Sequence, residues 1–221
     1  GVWISGFFGS GKSHFLKMLS YLLSNQEVAG RCAVDFFKDK FDDPMMYATV
    51  VRCANIPTES ILFNIDIEGP IKKDKTAVLR VLAKVFYNHL GFYGEDLKIA
   101  KLERFVDKRG KTDAFRRSFE EVNGKPWVEG RATYAFFEDD IVSVLQSVLG
   151  MSETAARNWF NGKENVDMSI KQLVEEIKEY VDSKGEKFRL LFCVDEVGQY
   201  IGDDGNLMLN LQSIVEEIGS K

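Results

Sequence analysis

Apolar residues recur along this chain with two different periods, and the change between them divides it. Val2 to Ser5 is a short apolar run leading into a glycine-rich loop. From about Lys12 to Ser24, Phe15, Leu16, Leu19, Leu22 and Leu23 return at helical spacing, so a helix is expected to open directly from the loop. Residues 25–43 are polar and mixed. Pro44 behind Asp42 and Asp43 has the form of a first helical position after an acidic cap, which predicts a short helix to about Ala54. Ile61, Phe63, Ile65 and Ile67 then alternate with Leu62, Asn64, Asp66 and Glu68, a period of two that predicts a half-buried strand ending at Gly69-Pro70.

Residues 71–184 carry repeated helical signals and little strand. Helices are predicted over Thr76–Leu90, Leu97–Val106, Asp113–Val122, Ala135–Leu149, Ser152–Phe160 and Ser169–Val181. Leu190 to Val194 is continuously apolar without alternation, the pattern of a strand covered on both faces in a parallel sheet. A last helix is predicted over Leu207–Ile218. Three strands are few for a parallel α/β sheet, and the abrupt opening on GVWISG resembles the start of a core strand. The chain therefore reads as a fragment whose further strands lie beyond Lys221. Its organisation reads as a discontinuous core, 1–70 with 185–221, interrupted by a helical insertion at 71–184.

Two motifs give this pattern its chemistry. Gly6-Phe7-Phe8-Gly9-Ser10-Gly11-Lys12-Ser13 matches G-x-x-x-x-G-K-[ST] at every fixed position. The glycines allow backbone conformations in which successive N–H groups point at phosphate oxygens, and the helix that follows adds its positive end. Lys12 is assigned to the β- and γ-phosphates and the Ser13 hydroxyl to Mg²⁺, with His14 counted among the nucleotide-binding positions. The second motif is Leu190-Leu191-Phe192-Cys193-Val194-Asp195-Glu196, an apolar strand ending in two acids. Asp195 is placed to hold Mg²⁺ and Glu196 to act as general base toward water. With Lys12, Glu196 forms the expected catalytic pair. The implied ligands are ATP and Mg²⁺, and the implied fold is a P-loop NTPase core of the additional-strand, catalytic-glutamate type.

Other candidates are weaker. Asn64 and Asp66, on the polar face of the second predicted strand, are candidates to contact Glu196 or the γ-phosphate, with solvent or the inserted helices the favoured surroundings. Gln199 is a further candidate for the nucleotide. The basic residues Arg104, Lys108, Arg109, Lys111, Arg116 and Arg117 are interleaved with Glu103, Asp107, Asp113, Glu120 and Glu121, which favours a solvated helical face over a nucleic-acid surface. The net charge of −5 points the same way. Three cysteines without CxxC spacing fit a reducing cytoplasm, two distant histidines argue against a His-rich metal site, and no apolar run reaches the ~20 residues that span a bilayer.

The stretches GVWISGFFGSGKSHFLKMLSYLL, ILFNIDIEG and LLFCVDEVGQYIG resemble the large ATPase of bacteriophage-exclusion (BREX) defence systems, BrxC. The aromatic pair inside the loop and the SHFLK continuation carry the resemblance. It implies an AAA-type, bacterial, cytoplasmic ATPase that works as an oligomer with methyltransferase and other defence partners, with DNA met through the complex. It extends to Lys12, Ser13, Asp195 and Glu196, and supplies no arginine finger or polar sensor within this chain. Two other functions remain open from sequence: a nucleotide-controlled switch or scaffold with slow turnover, and a DNA-binding initiator-like ATPase.

Overall fold

The structure is a computed structural model that describes residues 1–70, 73–162 and 167–219. In chain order the elements are α1 (Lys12–Ser24), β1 (Glu27–Val28), β2 (Arg31–Cys32), α2 (Pro44–Ala54), β3 (Thr58–Asn64) and α3 (Ile65–Glu68). Then follow α4 (Ala77–His89), α5 (Leu97–Asp107), α6 (Thr112–Asn123), α7 (Trp127–Gly130), α8 (Glu138–Leu149) and α9 (Glu153–Asn161). The chain ends with α10 (Ile170–Lys184), β4 (Arg189–Asp195), α11 (Val197–Ile201) and α12 (Gly205–Gly219). They divide into two compact units, one of Gly1–Leu82 with Ser169–Lys221 and one of Ala83–Met168.

The expected parallel-sheet core of a P-loop NTPase is not what the chain forms. The fold is 63% helical, and its only parallel sheet among the described residues is the pair β3–β4, beside a tiny antiparallel hairpin β1–β2. Val2–Ser5 forms no strand; Val2 and Trp3 are 91% and 61% exposed, because no described strand offers them a ladder of partners. The predicted strand through Glu68 is also shorter. Asn64 Oδ1 accepts the backbone N–H groups of Asp66 (2.9 Å) and Ile67 (3.2 Å), an N-cap that turns the chain into α3. Ile61, Phe63 and Ile65 are buried as the alternation predicts, whereas Ile67, carried out on α3, is 77% exposed.

In the first unit β3 and β4 run parallel, with Thr58 opposite Arg189 and Asn64 opposite Asp195. Alternating side chains give the sheet two distinct faces. One face meets α1: the Ser20 hydroxyl, buried, pairs with that of Ser60 at 2.8 Å. On the other face Glu59 accepts the Tyr180 hydroxyl (2.6 Å) and the Lys184 ammonium (3.0 Å) from α10. Leu190, Leu191, Phe192 and Val194 nevertheless remain partly exposed, so β4 is not the fully covered strand its apolar run predicts. It has one neighbouring strand, and its other edge is unpaired among the described residues.

The helical predictions fare well where capping and period agree. Asp43 caps α2 through Met45 N at 2.8 Å with Pro44 first in the helix, and Ser169 with Gln172 forms a full capping box on α10. Helix α8 begins at Glu138 rather than Ala135. Three acids in its first turn suit the positive helix end, and the preceding Arg131–Phe136 winds as a tighter 3₁₀ turn.

The second unit packs around Trp127, whose ring meets Phe115 and Phe119 edge-on at 5.0 and 4.9 Å. Its indole N–H donates to the buried Glu103 carboxylate (2.7 Å), which also accepts from Arg131 (3.0 Å) and the Tyr93 backbone N–H (2.5 Å). A buried carboxylate so fully satisfied belongs to the core, not to catalysis. Lys98 is also buried, 7% exposed, with its ammonium on the Phe160 carbonyl and among the rings of Tyr134, Trp159 and Phe160. Burial pushes its pKa below 10.5, against the attraction of Asp96. Between that lowered value and 10.5 the unfolded chain binds the extra proton, so this group adds stability as pH rises through the window. Lys98→Met removes the contribution. Across that window the denaturation midpoint of the parent should rise relative to that of Lys98→Met, and parallel curves would refute the assignment.

Candidate functional site

The glycine loop reaches its shape through two left-handed residues. Gly9 has φ +76° and Gly11 φ +84°, a region costly for residues with a Cβ, and Gly11 is the N-cap from which α1 starts. No side chain caps α1, which leaves its first N–H groups available to an anion. The Ser10 N–H turns back to the Phe7 carbonyl at 3.1 Å, and Lys12 Nζ donates to the same carbonyl at 2.9 Å. The ammonium thus folds back onto the loop at the protein surface. Ser13 and His14 stand exposed in the first turn of α1, and Phe7 and Phe8 project fully into solvent.

The acids sit at the carboxyl end of β4. Asp195 is the last strand residue and Glu196 follows with φ 59°, one of three non-glycine residues in the left-handed region among those described. That conformation carries strain of order 1–3 kcal/mol, and such residues cluster at functional sites. It is held locally: Glu196 N donates to Asp195 Oδ1 at 3.0 Å, and Glu196 O accepts the Tyr200 N–H at 2.9 Å, closing α11. Register fixes which face Asp195 serves. Leu62 pairs with Cys193 and Asn64 with Asp195, so both strand-end residues share the parity of Ser60, on the face that α1 covers. On the same face the Cys193 thiol is buried, and that burial pushes its pKa up.

The structure therefore brings Asn64 and Asp195 side by side, and gathers the loop residues Gly6 to Ser13 at the head of a helix packed on their face of the sheet. Among the described residues, no hydrogen bond or ion pair joins the loop to Asn64, Asp66, Asp195 or Glu196. Asn64 is engaged in capping α3. Gln199 donates to Asp66 at a long 3.5 Å, and Asp66 faces Lys73 at 3.6 Å. Lys73 gave no signal in sequence, where it stands in the polar run IKKDK, and the left-handed turn at Glu196 gave none because nothing about a glutamate predicts it.

Ser13 and Asp195 each carry oxygen donors of the kind a hard cation takes. A serine hydroxyl and one carboxylate offer only oxygen, and no described group of three His, Cys, Asp or Glu residues forms a protein cage. Mg²⁺ usually takes one or two carboxylates and completes its shell with phosphate and water. The three cysteines are free, and no described helix is long and apolar enough to cross a membrane. No protein-family model matches this chain, and no solved structure matches it.

Proposed function

We propose that the chain binds ATP with Mg²⁺ and hydrolyses it. The observation that carries the reading is the left-handed Gly9/Gly11 loop opening a 13-residue, uncapped helix with Lys12 arched over it. A polyphosphate tail meets, in one place, free backbone N–H groups, the positive helix end and an ammonium. None of these requires a wide sheet behind it. Ser13 and Asp195 would hold Mg²⁺, which when bound neutralises phosphate charge.

The chain's own residues supply the remainder. Lys12 leaves the Phe7 carbonyl and donates to phosphate oxygens. Glu196 accepts a proton from water as the water oxygen bonds to the γ-phosphorus and the bond to the ADP oxygen breaks. The wider role rests on the resemblance of three stretches to BrxC. On that basis the chain is an ATPase module of a bacterial anti-phage defence protein, acting in the cytoplasm as a homo-oligomer with defence partners.

Titration with ATP in the presence and absence of Mg²⁺ tests the reading directly. Asp195→Asn keeps the shape and removes the charge, so it should weaken Mg²⁺-dependent ATP binding about tenfold while leaving metal-free binding nearly unchanged. Failure of the parent protein to bind ATP under both conditions would end the proposal.

A further inference from the structure

We propose that Lys73 is a positioning residue for Glu196, acting through Tyr200; this rests on the hydrolytic reading above. Three contacts place Lys73 over the one-turn helix α11. Its Nζ donates to the Tyr200 carbonyl at 2.9 Å, lies 4.1 Å from the centroid of the Tyr200 ring, and faces Asp66 Oδ1 at 3.6 Å. The ammonium therefore ties α11 to α3, the turn that ends the neighbouring strand.

Tyr200 is the hub of this arrangement. Its side chain is 2% exposed and its ring packs where Gly69 leaves room: a Cβ at Gly69 would stand 2.6 Å from Tyr200 Cε2 and 2.7 Å from the Ile65 carbonyl. Burial pushes the phenol pKa up, so the ring stays neutral beneath the ammonium. The Tyr200 N–H is the group that bonds the Glu196 carbonyl, at 2.9 Å. A continuous path thus runs from Lys73 through Tyr200 to the backbone of Glu196. A single helical turn is a poor restraint by itself. A strained left-handed residue persists only where its surroundings over-determine it, and Lys73 adds to those surroundings, beside the packing of Gly69 on the Tyr200 ring, a charged contact from outside β4 and α11.

Lys73→Met removes the cation and the donor but retains an apolar stem over the ring. Lys73→Arg keeps a cation and a donor there. For Lys73→Met, kcat for ATP hydrolysis should fall about tenfold or more while KM and ATP affinity change little, because misplacement affects the attacking geometry and not the loop. Lys73→Arg should recover much of the loss. Amide hydrogen exchange at Tyr200, measured without nucleotide, should be faster in Lys73→Met than in the parent.

If the parent turns over ATP and Lys73→Met matches its kcat, the clamp is wrong and the hydrolytic reading stands. Unchanged exchange at Tyr200 overturns the clamp in the same way. A parallel loss of ATP affinity and kcat would mean a general structural role and also overturns it. If the parent binds ATP without any turnover, the hydrolytic reading fails and the positioning role with it.

Discussion

Lys12→Ala is expected to weaken ATP binding about 100-fold, the equivalent of roughly 2.7 kcal/mol and within the range for a charge-assisted hydrogen bond to phosphate. The estimate compares two partners for one ammonium. In the free protein Nζ holds the Phe7 carbonyl at 2.9 Å, a neutral dipole. In the complex it meets phosphate oxygens that carry full negative charge, and the difference between these partners is what alanine removes. The substitution lies in the first turn of α1, half-exposed, and alanine is a strong helix former, so stability should hold. Calorimetric titration of both proteins gives the ratio. An unchanged affinity would mean that the loop is a strand-less turn with an incidental lysine. Lys12→Arg should not restore full binding, because a planar guanidinium fork does not place its charge where a compact ammonium does.

Glu196→Gln is expected to reduce ATP turnover by 10²- to 10⁴-fold, about the range for loss of a general base, with ATP affinity within about threefold of the parent. Glutamine has the same shape and tolerates the left-handed backbone no worse, so φ 59° and the Tyr200 hydrogen bond should persist. What changes is the ability to take a proton from water. Phosphate release at saturating ATP, with binding measured separately, divides the two effects. Equal turnover in both proteins would remove Glu196 from the chemistry. The nucleotide-controlled switch would then be the stronger account, and oligomer size compared in ATP, ADP and no nucleotide would decide it.

The two experiments bear on different parts of the site. Lys12 reports on the loop, which is a local structure built by Gly9, Gly11 and the start of α1. Glu196 reports on the strand end, where β4, α11 and Lys73 meet. Loss of one function without the other is therefore an informative result, since neither residue bonds to the other's surroundings among the described residues.

Helices and turns were legible in the sequence wherever a local signal is sufficient. Pro44 behind Asp43 located α2 to the residue, and the 3.6-residue period located α4, α5 and α10 within a few residues. The shape of the glycine loop was legible because it is built within eight consecutive residues, Gly6 to Ser13, and the helix they start. The β1–β2 hairpin was missed, since two-residue strands have no period to detect.

Strand identity was less legible because pairing is non-local. Val2–Ser5 and Ile65–Glu68 have apolar or alternating patterns that suit a strand, yet the first has no partner strand among the described residues and the second is taken over by the Asn64 cap. A hydrophobic run records which residues prefer to leave water, not how many strands will cover them. By itself, then, the chain's order of residues determined the loop, the caps and the helical periods, all set by contacts within a few positions. Tertiary structure alone decided that the parallel sheet holds β3 and β4, that Asp195 faces α1, and that Lys73 reaches Tyr200 across 127 positions. Those outcomes depend on which distant surfaces meet, and the entropy of closing such long loops is repaid only by contacts that no short window of sequence contains.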